Sequence, residues 1–348
     1  MNSWSRSRTR SAAINWGILT AVLIVVAVLA ETVLTRGQTR IANQFIINVG
    51  VVVAMQSFIG STGILSFGHI AFLSIAAYTT GLVTIPVSQK EKLLPALPEW
   101  LLNLELGLPG ALLLAVLVAV VVAALFGAPV SRMRQNVIPM ATLAVLVIVY
   151  TVTNLWDDVT RGTRGLVSVP QLASTWTIVI ATSCIILAAL LFKASPWGLQ
   201  AQAVREDEVA AASFGISVAR TRFIAWTFSA VLMGVAGTMW ALNSLAFSPD
   251  QFFFAETFSL LAMLIIGGMG SVSGALIGVA VITLLGEILR GLEQGLQVGG
   301  AQLPELPGVV QFATAALIIA LLIFRPRGLL GNGEVMGTRG FPKIGATS

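Results

Sequence analysis

Ten long apolar runs constrain this chain more than any other feature of its sequence. A helix that crosses a bilayer needs about 20 mainly apolar residues, and most of the runs are close to that length. They lie at 14–34, 41–60, 64–85, 109–130, 137–156, 174–192, 221–243, 256–269, 271–290 and 308–324. Only 10% of the residues are charged, whereas an ordinary soluble domain has about 25%. The sequence therefore predicts an all-α polytopic protein, largely in contact with membrane lipid, with about ten transmembrane helices and a range of eight to ten.

Three of these runs leave alternatives open. The short runs at 256–269 and 271–290 are separated by glycines, which fit either a tight hairpin or broken helices. The first run follows three arginines, and also fits a signal peptide cleaved after residues 28–30. We favour a retained first span, because the run is longer than the usual apolar core of a signal peptide and nine further runs follow it.

Basic residues predict how the chain is oriented, because cytoplasmic loops are enriched in lysine and arginine. With the N-terminus inside, ten spans return the C-terminus to the inside, and 13 of the 20 basic residues then lie inside. These are Arg6, Arg8, Arg10, Arg132, Arg134, Lys193, Arg205, Arg220, Arg222, Arg325, Arg327, Arg339 and Lys343. We expect a cytoplasmic N-terminus at 1–13, a transmembrane domain at 14–324, and a cytoplasmic tail at 325–348 that is polar, glycine-rich and disordered.

Missing motifs exclude several kinds of function. The single cysteine, Cys184, excludes a disulfide framework and a CxxC site. The single histidine, His69, excludes HExxH and multi-histidine metal sites, and no GxxxxGK[ST] phosphate loop is present. Charge asymmetry across a membrane explains the net charge of +5 better than nucleic-acid binding does. We expect a chain that is not an enzyme, has no cofactor and leaves any ATP hydrolysis to partner subunits.

A cytoplasmic segment at about 197–215 has the composition of a short helix. It is rich in good helix formers and ends at Gly215, which suits a helix C-cap. Small apolar side chains lie beside a tight cluster of charges. The residues of this surface are Arg205, Glu206, Asp207, Glu208, Ala211, Ala212 and Gly215. Such a helix either inserts into a cleft of another protein or is a solvated connection, and composition alone favours neither.

Four stretches together resemble one family of transport proteins. They are AVREDEVAAASFGI at 203–216, GILSFGHIAF at 63–72, GGMGSVSGALIG at 267–278 and RPRGL at 325–329. The first is similar to the cytoplasmic coupling segment of ABC importer permeases. The whole set resembles the M-type (LivM-type) permease of branched-chain amino acid importers, and this resemblance favours a docking role for the segment at 197–215.

The resemblance implies an ABC importer permease fold with an internal repeat, in the bacterial inner membrane. It also implies three kinds of partner: a second, H-type permease subunit, two cytoplasmic ATPase subunits, and a periplasmic solute-binding protein that delivers the cargo. The expected function is import of branched-chain or related hydrophobic amino acids. The same machinery would also suit urea, short amides or an aromatic carboxylate, and the apolar lining does not decide between these cargoes.

Glycine-rich interruptions of two apolar regions predict a substrate pathway. Broken helices are tolerated at membrane depth where their backbone is buried in protein or lines a cavity, and paired breaks can mark a translocation site. The candidate pathway residues are Ser66, Gly68, His69, Gly267, Gly268, Gly270 and Ser271. Close helix packing through small residues is the alternative. We expect packing to explain most of the glycines and pathway lining to explain some.

Ionisable side chains in the spans need less specific roles. A charge at the centre of a spanning helix costs about 2.5–3.5 kcal/mol, so we expect His69 to be a neutral, hydrogen-bonded imidazole rather than a proton relay. Glu31, Glu256 and Glu287 lie near predicted outer ends, where water is available, and need no special role.

Two arginines stand out in the outer loop TRGTRGL at 160–166. This loop resembles the family's glycine-rich stretch before the sixth span, but Arg161 and Arg164 are unusual there. As a hypothesis, they lie at the outer mouth and pair with acidic residues of the binding protein or attract an anionic solute. Alternatively, they are screened surface charges worth about a kcal/mol or less.

Two other classes of protein compete with the transport subunit. An intramembrane hydrolase would use Ser66 or Ser273 with His69, but Ser66 and His69 are only three residues apart and the Gly270 region does not form GxSxG. An ion-coupled secondary transporter commonly has acidic residues deep in its spans, and these are missing from the runs above.

Overall fold

The computed structural model describes residues 3–293, 297–298, 301–302, 308–325, 328–331 and 333–334. Within these ranges the chain is almost entirely helical. The helices are α1 (Ser3–Thr32), α2 (Arg36–Thr62), α3 (His69–Thr84), α4 (Val87–Leu93), α5 (Glu99–Leu102), α6 (Leu108–Val130), α7 (Ile138–Leu155), α8 (Asp157–Thr160), α9 (Thr175–Ala194), α10 (Pro196–Glu206), α11 (Glu208–Ser213), α12 (Val218–Ser244), α13 (Phe254–Gly267), α14 (Val272–Glu293) and α15 (Val309–Phe324). Two short 3₁₀ turns, Gly162–Arg164 and Pro249–Phe252, and one antiparallel pair of two-residue strands, β1 (Gln297–Val298) and β2 (Ala301–Gln302), complete the described part. Residues 1–2 and 335–348, at the two predicted cytoplasmic ends, lie outside the described residues.

Each of the ten predicted spans overlaps one long helix of the described structure. Among the described residues, eight helical segments are long and apolar enough to cross a membrane, and α3 and α4 would form a ninth span that is bent by 113°. The helix α15 has only 16 residues, fewer than the roughly 20 of a usual span. These findings confirm the all-α polytopic class and the predicted range of eight to ten spans. The internal repeat stays a prediction.

The two short runs near residue 270 form a helical hairpin. A Cβ atom on Gly267 would collide with the backbone of Gly274, and one on Gly278 would collide with the backbone of Met263. These contacts pair earlier residues of α13 with later residues of α14, so the two helices are antiparallel. The hairpin is therefore the correct alternative, and its glycines allow the two backbones to touch.

The helix α2 is the most buried of the eight spans. Of its most apolar window 94% is buried, against 28% for α1 and for α6. One side of α2 packs against α12, which also packs on α3 and α6, while α9, α13 and α14 cover other sides of α2. The helix α2 therefore has protein around most of its circumference and joins α12 to α9, α13 and α14.

The helix α6 shows how side-chain size separates packed faces from lipid-facing ones. Its buried residues are all small or of moderate size and mostly recur at every fourth position: Ala111, Ala115, Ala119, Ala123, Gly127 and Val130. The indole nitrogen of Trp226 in α12 donates to the carbonyl oxygen of Ala123 at 3.1 Å. The large residues Leu113, Leu117, Val121 and Leu125 are 54–71% exposed on the bundle surface. Small residues let helix backbones approach closely in a membrane, which explains this division of α6.

Candidate functional site

Two groups of polar and charged side chains lie at opposite ends of the bundle. At the end that we call the Arg40 end, α2 and α13 begin and α12 ends. At the end that we call the Arg205 end, α2, α9 and α13 end, and α10, α12 and α14 begin. The 27 residues of α2 rise by about 1.5 Å each, so the two ends are about 40 Å apart.

A cavity of about 540 Å³ lies at the Arg40 end between α2, α12 and the start of α13. Ligand pockets commonly measure about 300–1,000 Å³, so a small solute fits inside it. Its apolar wall contains Ile41 of α2, Trp240 of α12, Ala246 and Ala255. The rest of the wall is polar, and this mixture is typical of a small-molecule site.

One polar wall of the cavity is a stripe along α2. Arg40, Gln44 and Asn48 recur at every fourth residue and therefore share one face of the helix. The amide of Asn243 in α12 donates to Gln44 at 3.4 Å, and that of Gln44 donates to Asn48 at 2.9 Å. Nη2 of Arg40 donates to the carbonyl oxygens of Asn243 and Ser244, at 3.3 and 3.2 Å, at the end of α12. Among the described residues nothing bonds Nε and Nη1 of Arg40, which remain as donors for a further partner.

The opposite wall of the cavity carries two carboxylates. Asp250 accepts a hydrogen bond of 2.7 Å from the hydroxyl of Tyr150 in α7. Glu256, in the first turn of α13, also lines the cavity, and no described residue forms a hydrogen bond or ion pair with it. The cavity thus contains one guanidinium group, one engaged carboxylate and one carboxylate without a partner in the described part of the chain.

None of these cavity residues was predicted from the sequence to line a pathway. A signal was present, since Arg40, Gln44 and Asn48 have the four-residue spacing of one helix face at the start of an otherwise apolar run. Glu256 received no role because of its place near the end of a span, and the structure now places it in the cavity wall. Asn243 joins the site only through the packing of α12 on α2, which sequence spacing does not predict.

The segment at 197–215 contains two helices, α10 and α11, rather than the single predicted helix. Asp207 separates them with an extended backbone (φ −155°), and its carboxylate accepts hydrogen bonds of 2.8 and 2.9 Å from the N–H groups of Val209 and Ala210. This is an N-cap, for which Asp is among the preferred residues. Gly215 has a left-handed conformation (φ +82°) and donates to Ala212 at 2.9 Å, which confirms its predicted C-capping role.

Arg205 attaches this segment to the end of α2. Its Nη1 atom donates to the carbonyl oxygen of Gly60 at 2.8 Å. Its side chain also covers Gly63, where α2 ends in a left-handed conformation and an added Cβ would lie 2.7 Å from Cγ of Arg205. A cation is favourable beside the last carbonyls of a helix, so Arg205 stabilises this contact.

Glu208 attaches the same segment to α12. Its carboxylate forms an ion pair of 2.7 Å with Arg222, whose side chain is 3% exposed while that of Glu208 is 41% exposed. Arg222 also donates to the carbonyl oxygen of Met133, in the loop that follows α6, at 3.3 Å. A buried cation is costly without a partner, so Glu208 holds α11 against the start of α12.

The free surface of α10 and α11 is apolar at two points. Val209 is 81% and Phe214 87% exposed, in a segment whose neighbouring residues are mostly polar or small. Ala211 is buried against the bundle, whereas Glu206 and Ala212 are exposed. Exposed apolar residues rimmed by polar ones are typical of an interaction site.

Ser66, Gly68 and His69 lie in the packed interior of the bundle. Oγ of Ser66 and Nδ1 of His69 are 2.8 Å apart, and both residues are 0% exposed. The rings around His69 are those of Phe58, Phe72 and Trp226. A Cβ atom on Gly68 would lie 3.0 Å from the carbonyl oxygen of Thr142. The contact meets the distance that a Ser–His hydrolase needs, but burial leaves a substrate no route to it.

Gly267, Gly268, Gly270 and Ser271 lie at the turn of the α13–α14 hairpin, at the Arg205 end. A Cβ atom on Gly60 of α2 would collide with the carbonyl oxygen of Met269 in this turn. None of the seven predicted pathway residues lines the cavity at the Arg40 end. The geometry of Gly267 fits the alternative of close backbone packing, because its Cβ would displace α14.

The first part of the predicted disordered tail packs against this turn. The N–H groups of Leu329 and Leu330 donate to the carbonyl oxygens of Ile266 and Gly267, at 2.9 and 3.2 Å. A Cβ atom on Gly328, which has a φ of +76°, would lie 2.6 Å from Cα of Gly268. The end of α13 therefore accepts backbone hydrogen bonds from residues 329–330, after the last helix.

Glu334 completes this arrangement at the start of α14. Its carboxylate accepts hydrogen bonds from the N–H groups of Val272 and Ser273 and from the hydroxyls of Ser271 and Ser273, at 2.7–3.1 Å. It also pairs with Lys193 of α9 at 2.6 Å. Burial would raise the pKa of Glu334, but the ion pair with Lys193 and the hydrogen bonds from Lys193 and Ser273 outweigh it and hold the pKa below the usual 4.5.

The two arginines of the outer loop lie at the Arg40 end and outside the cavity wall. Arg161 has a left-handed conformation (φ +61°), and its Nη1 atom donates to the carbonyl oxygen of Gly165 at 3.2 Å. Arg164 is exposed in the 3₁₀ turn that follows. The loop is joined to the chain after α12 by the bridge between Leu166 and Phe247. The role of both arginines at an outer mouth stays a prediction.

Most of the chain is similar to known proteins. Residues 37–324 match the family model described as the permease component of a branched-chain amino acid transport system. Two relatives are each 26% identical to this chain, over 88% of this chain and 73% of their own length. They are the high-affinity branched-chain amino acid transport system permease proteins LivM of Salmonella typhimurium and Escherichia coli. The guanosine ABC transporter permease protein NupQ of Bacillus subtilis is 24% identical, over 81% of this chain and 88% of its own. No solved structure matches the chain.

Proposed function

Because this chain belongs to the family of permease components of branched-chain amino acid transport systems, we propose that it is the membrane-spanning subunit of an ATP-driven importer for branched-chain or related hydrophobic amino acids. The observation that carries the proposal is the segment of α10 and α11. It is fixed to α2 and α12 and presents Val209 and Phe214 on its free surface. This is the arrangement expected of a docking surface for a cytoplasmic ATPase.

The proposed orientation places the Arg205 end in the cytoplasm and the Arg40 end in the periplasm. The Arg205 end carries Arg132, Arg134 and Lys193 as well as Arg205 and Arg222, in keeping with the enrichment of basic residues on the cytoplasmic side. With this orientation both termini are cytoplasmic. The protein then lies in the bacterial inner membrane, and the cavity faces the side from which an importer receives its cargo.

Two continuous helices provide the proposed link between ATP hydrolysis and the cavity. At the Arg205 end, Arg205 holds α10 to α2 and Glu208 holds α11 to α12. At the Arg40 end, the same two helices supply Arg40 and Asn243 to the cavity wall. A rigid-body movement of the docked segment would therefore change the separation of the cavity walls, as alternating access requires.

The proposed pathway is closed at the Arg205 end. The turn at Gly267, Gly268, Gly270 and Ser271 lies against Gly60 and leaves no gap between α2 and the hairpin. We assign to these residues the closed inner end of the route. Ser66, Gly68 and His69 are buried within the bundle, and the ring of His69 packs against Phe58 of α2 with 5.3 Å between the ring centroids.

The remaining partners follow from the family and from the cavity. A second, H-type permease subunit would complete the pathway, and two ATPase subunits would bind the cytoplasmic side. A periplasmic binding protein would deliver the solute at the Arg40 end, where Arg161 and Arg164 offer charge for its acidic residues. The relative named as a guanosine permease shows that cargo varies among similar proteins, so urea, amides and aromatic carboxylates stay as alternatives.

Affinity purification of the tagged protein from its native membrane, followed by mass spectrometry, tests this proposal. We expect recovery of a second permease and of ATPase subunits. Replacement of the exposed apolar residues, Val209→Ser with Phe214→Ser, should greatly lower recovery of the ATPase and leave the second permease bound. The matched control Trp100→Ser removes a ring that is 71% exposed at the other end and should leave the complex intact. Recovery of the wild-type chain without an ATPase would refute the proposal.

A further inference from the structure

The cavity at the Arg40 end carries charges of both signs on opposite walls. The free donors of Arg40 are on α2, and the carboxylate of Glu256 is on α13. Asp250, the other acidic group of the wall, accepts a hydrogen bond on Oδ1 from the hydroxyl of Tyr150 and keeps its negative charge. The cavity therefore offers a ligand a cationic partner on one wall and anionic partners on the other, of which Glu256 is the one without a hydrogen bond from the described residues.

Unpaired charges of both signs restrict the class of ligand. A neutral solute would leave both groups without a counter-charge. The cost would fall mainly on Glu256, which is half-buried, because Arg40 is exposed to solvent. A purely anionic solute would satisfy Arg40 but approach Glu256 unfavourably, and a purely cationic solute would do the reverse. A zwitterion satisfies both groups at once.

The other cavity residues suit the rest of such a ligand. Ile41 and Trp240 form an apolar surface, against which a branched aliphatic side chain would pack. Gln44 and Asn48 are hydrogen-bonded to each other, and their stripe continues the polar wall from Arg40 deeper along α2. The cavity thus combines a surface for an aliphatic group with partners for a carboxylate and an ammonium group.

We propose that this cavity is a binding site for a free α-amino acid, in which Arg40 binds the carboxylate, Glu256 binds the ammonium group, and Ile41 and Trp240 contact the aliphatic side chain. The inference rests on the proposed function for the identity of the cargo. It adds that the permease itself recognises the zwitterion, independently of a binding protein.

Equilibrium binding of radiolabelled leucine tests the inference. The full-length permease is purified with its native subunits and reconstituted in liposomes, without ATP and without a solute-binding protein. Unlabelled competitors are leucine, leucinamide, N-acetylleucine and guanosine. Leucinamide lacks the carboxylate, N-acetylleucine lacks the ammonium group, and guanosine is a neutral solute of similar proteins. ATP-dependent uptake of leucine is measured separately, with the binding protein added.

The variants separate the two charges of the ligand. Arg40→Gln should weaken leucine binding by about tenfold or more, as expected for the loss of a charged hydrogen bond, and should reduce the preference for leucine over leucinamide. Glu256→Gln should have a similar effect and reduce the preference for leucine over N-acetylleucine. Arg40→Lys retains the cation and should bind better than Arg40→Gln.

Matched controls exclude a general loss of charge. Arg36→Gln changes another exposed arginine at the start of α2, and Glu99→Gln changes an exposed glutamate in α5 at the same end. Neither residue lines the cavity, and both variants should bind leucine like the wild type. Recovery of each variant with the same subunits as the wild type shows that the fold is retained.

The outcomes for the inference and for the proposed function can be told apart. If leucine is taken up with ATP but Arg40→Gln and Glu256→Gln bind it normally, the inference is wrong and the importer stands. The inference is also wrong if the wild type binds no leucine, or binds guanosine as well as leucine. If the reconstituted protein shows zwitterion-specific binding that depends on both residues but no ATP-driven uptake, the site stands and the proposed function fails.

Discussion

At the scale of single residues, five cations of the described chain, four of them buried or half-buried and Arg40 exposed, bond to carbonyl oxygens near the ends of helices. Arg40 binds the end of α12, Arg205 the end of α2, Lys193 the turn after α13, Arg222 the loop after α6, and Lys90 the end of α5 and the residues after it. The last carbonyls of a helix have no partner within the helix, and they carry partial negative charge. These cations therefore supply hydrogen bonds to carbonyl oxygens at or near helix ends.

The ion pair between Glu208 and Arg222 gives a prediction at this scale. Glu208→Gln should lower the melting temperature of the detergent-solubilised protein by a few degrees, because Arg222, whose side chain is only 3% exposed, loses its counter-ion. The same variant should weaken the coupling of ATP hydrolysis to transport. The loss should be below the roughly 3–5 kcal/mol of a fully buried pair, because Glu208 is 41% exposed. Glu206→Gln, whose side chain is 79% exposed, is the control and should melt normally. Equal melting of both variants and normal uptake would show that the pair does not hold α11.

At the scale of elements, the helix α14 begins with a cap from a distant part of the chain. Ser271, just before the first turn of α14, caps this helix in the usual way, since its hydroxyl accepts a hydrogen bond of 3.0 Å from the N–H group of Gly274. In addition, the carboxylate of Glu334 binds the first two N–H groups of α14. The same carboxylate pairs with Lys193 of α9. The α13–α14 hairpin, the end of α9 and the chain after α15 are thus joined at one group.

The lowered pKa of Glu334 gives a prediction for the response of this junction to pH. Its pKa is lower in the folded protein than the usual 4.5, so its contribution to stability is complete above the usual pKa and is lost as the pH falls through the lowered value. At neutral pH, Glu334→Gln should therefore speed amide hydrogen exchange at residues 271–274 by about tenfold or more. The wild type should lose this protection only in acid, when Glu334 becomes protonated. Glu287→Gln, which removes an exposed ion pair with Arg290 from the same helix, should leave the exchange unchanged. Slow exchange in Glu334→Gln at neutral pH would contradict this role.

At the scale of the whole molecule, α2 and α12 extend from the Arg205 end to the Arg40 end and contribute to the sites at both. The proposed orientation of these ends in the membrane rests on the positions of basic residues and can be measured directly.

Two single-cysteine variants test the orientation in a background where Cys184 is replaced by Ser. An impermeant maleimide added to intact spheroplasts should label Trp100→Cys, at the Arg40 end. It should label Phe214→Cys, at the Arg205 end, only after the membrane is opened. Both side chains are exposed, at 71% and 87%, so accessibility within the protein does not limit the reaction. The reverse pattern of labelling would invert the proposed orientation.

Hydropathy predicted the spans because lipid imposes a length and an apolar composition on every helix that crosses it. The split of the segment at 197–215 was also predictable in principle, since Asp207 is a strong N-cap residue. The cavity was not, because Gln44 and Asn243 are about 200 residues apart and meet only in the folded bundle. Glu334, beyond the last helix, accepts hydrogen bonds from Ser273 at the start of α14. The glycine-rich composition of the tail did not predict this contact.

The burial of α2 has a consequence for how the protein is made. This helix ends at residue 62, whereas α12 begins at residue 218 and α13 at residue 254. During synthesis α2 therefore enters the membrane with Gln44, Asn48 and Gln56 facing lipid or a helper protein, long before α12 and α13 exist. Polar side chains in lipid are costly, so biogenesis of this chain should depend on an insertion factor or a sister subunit that shields α2 until the C-terminal half arrives.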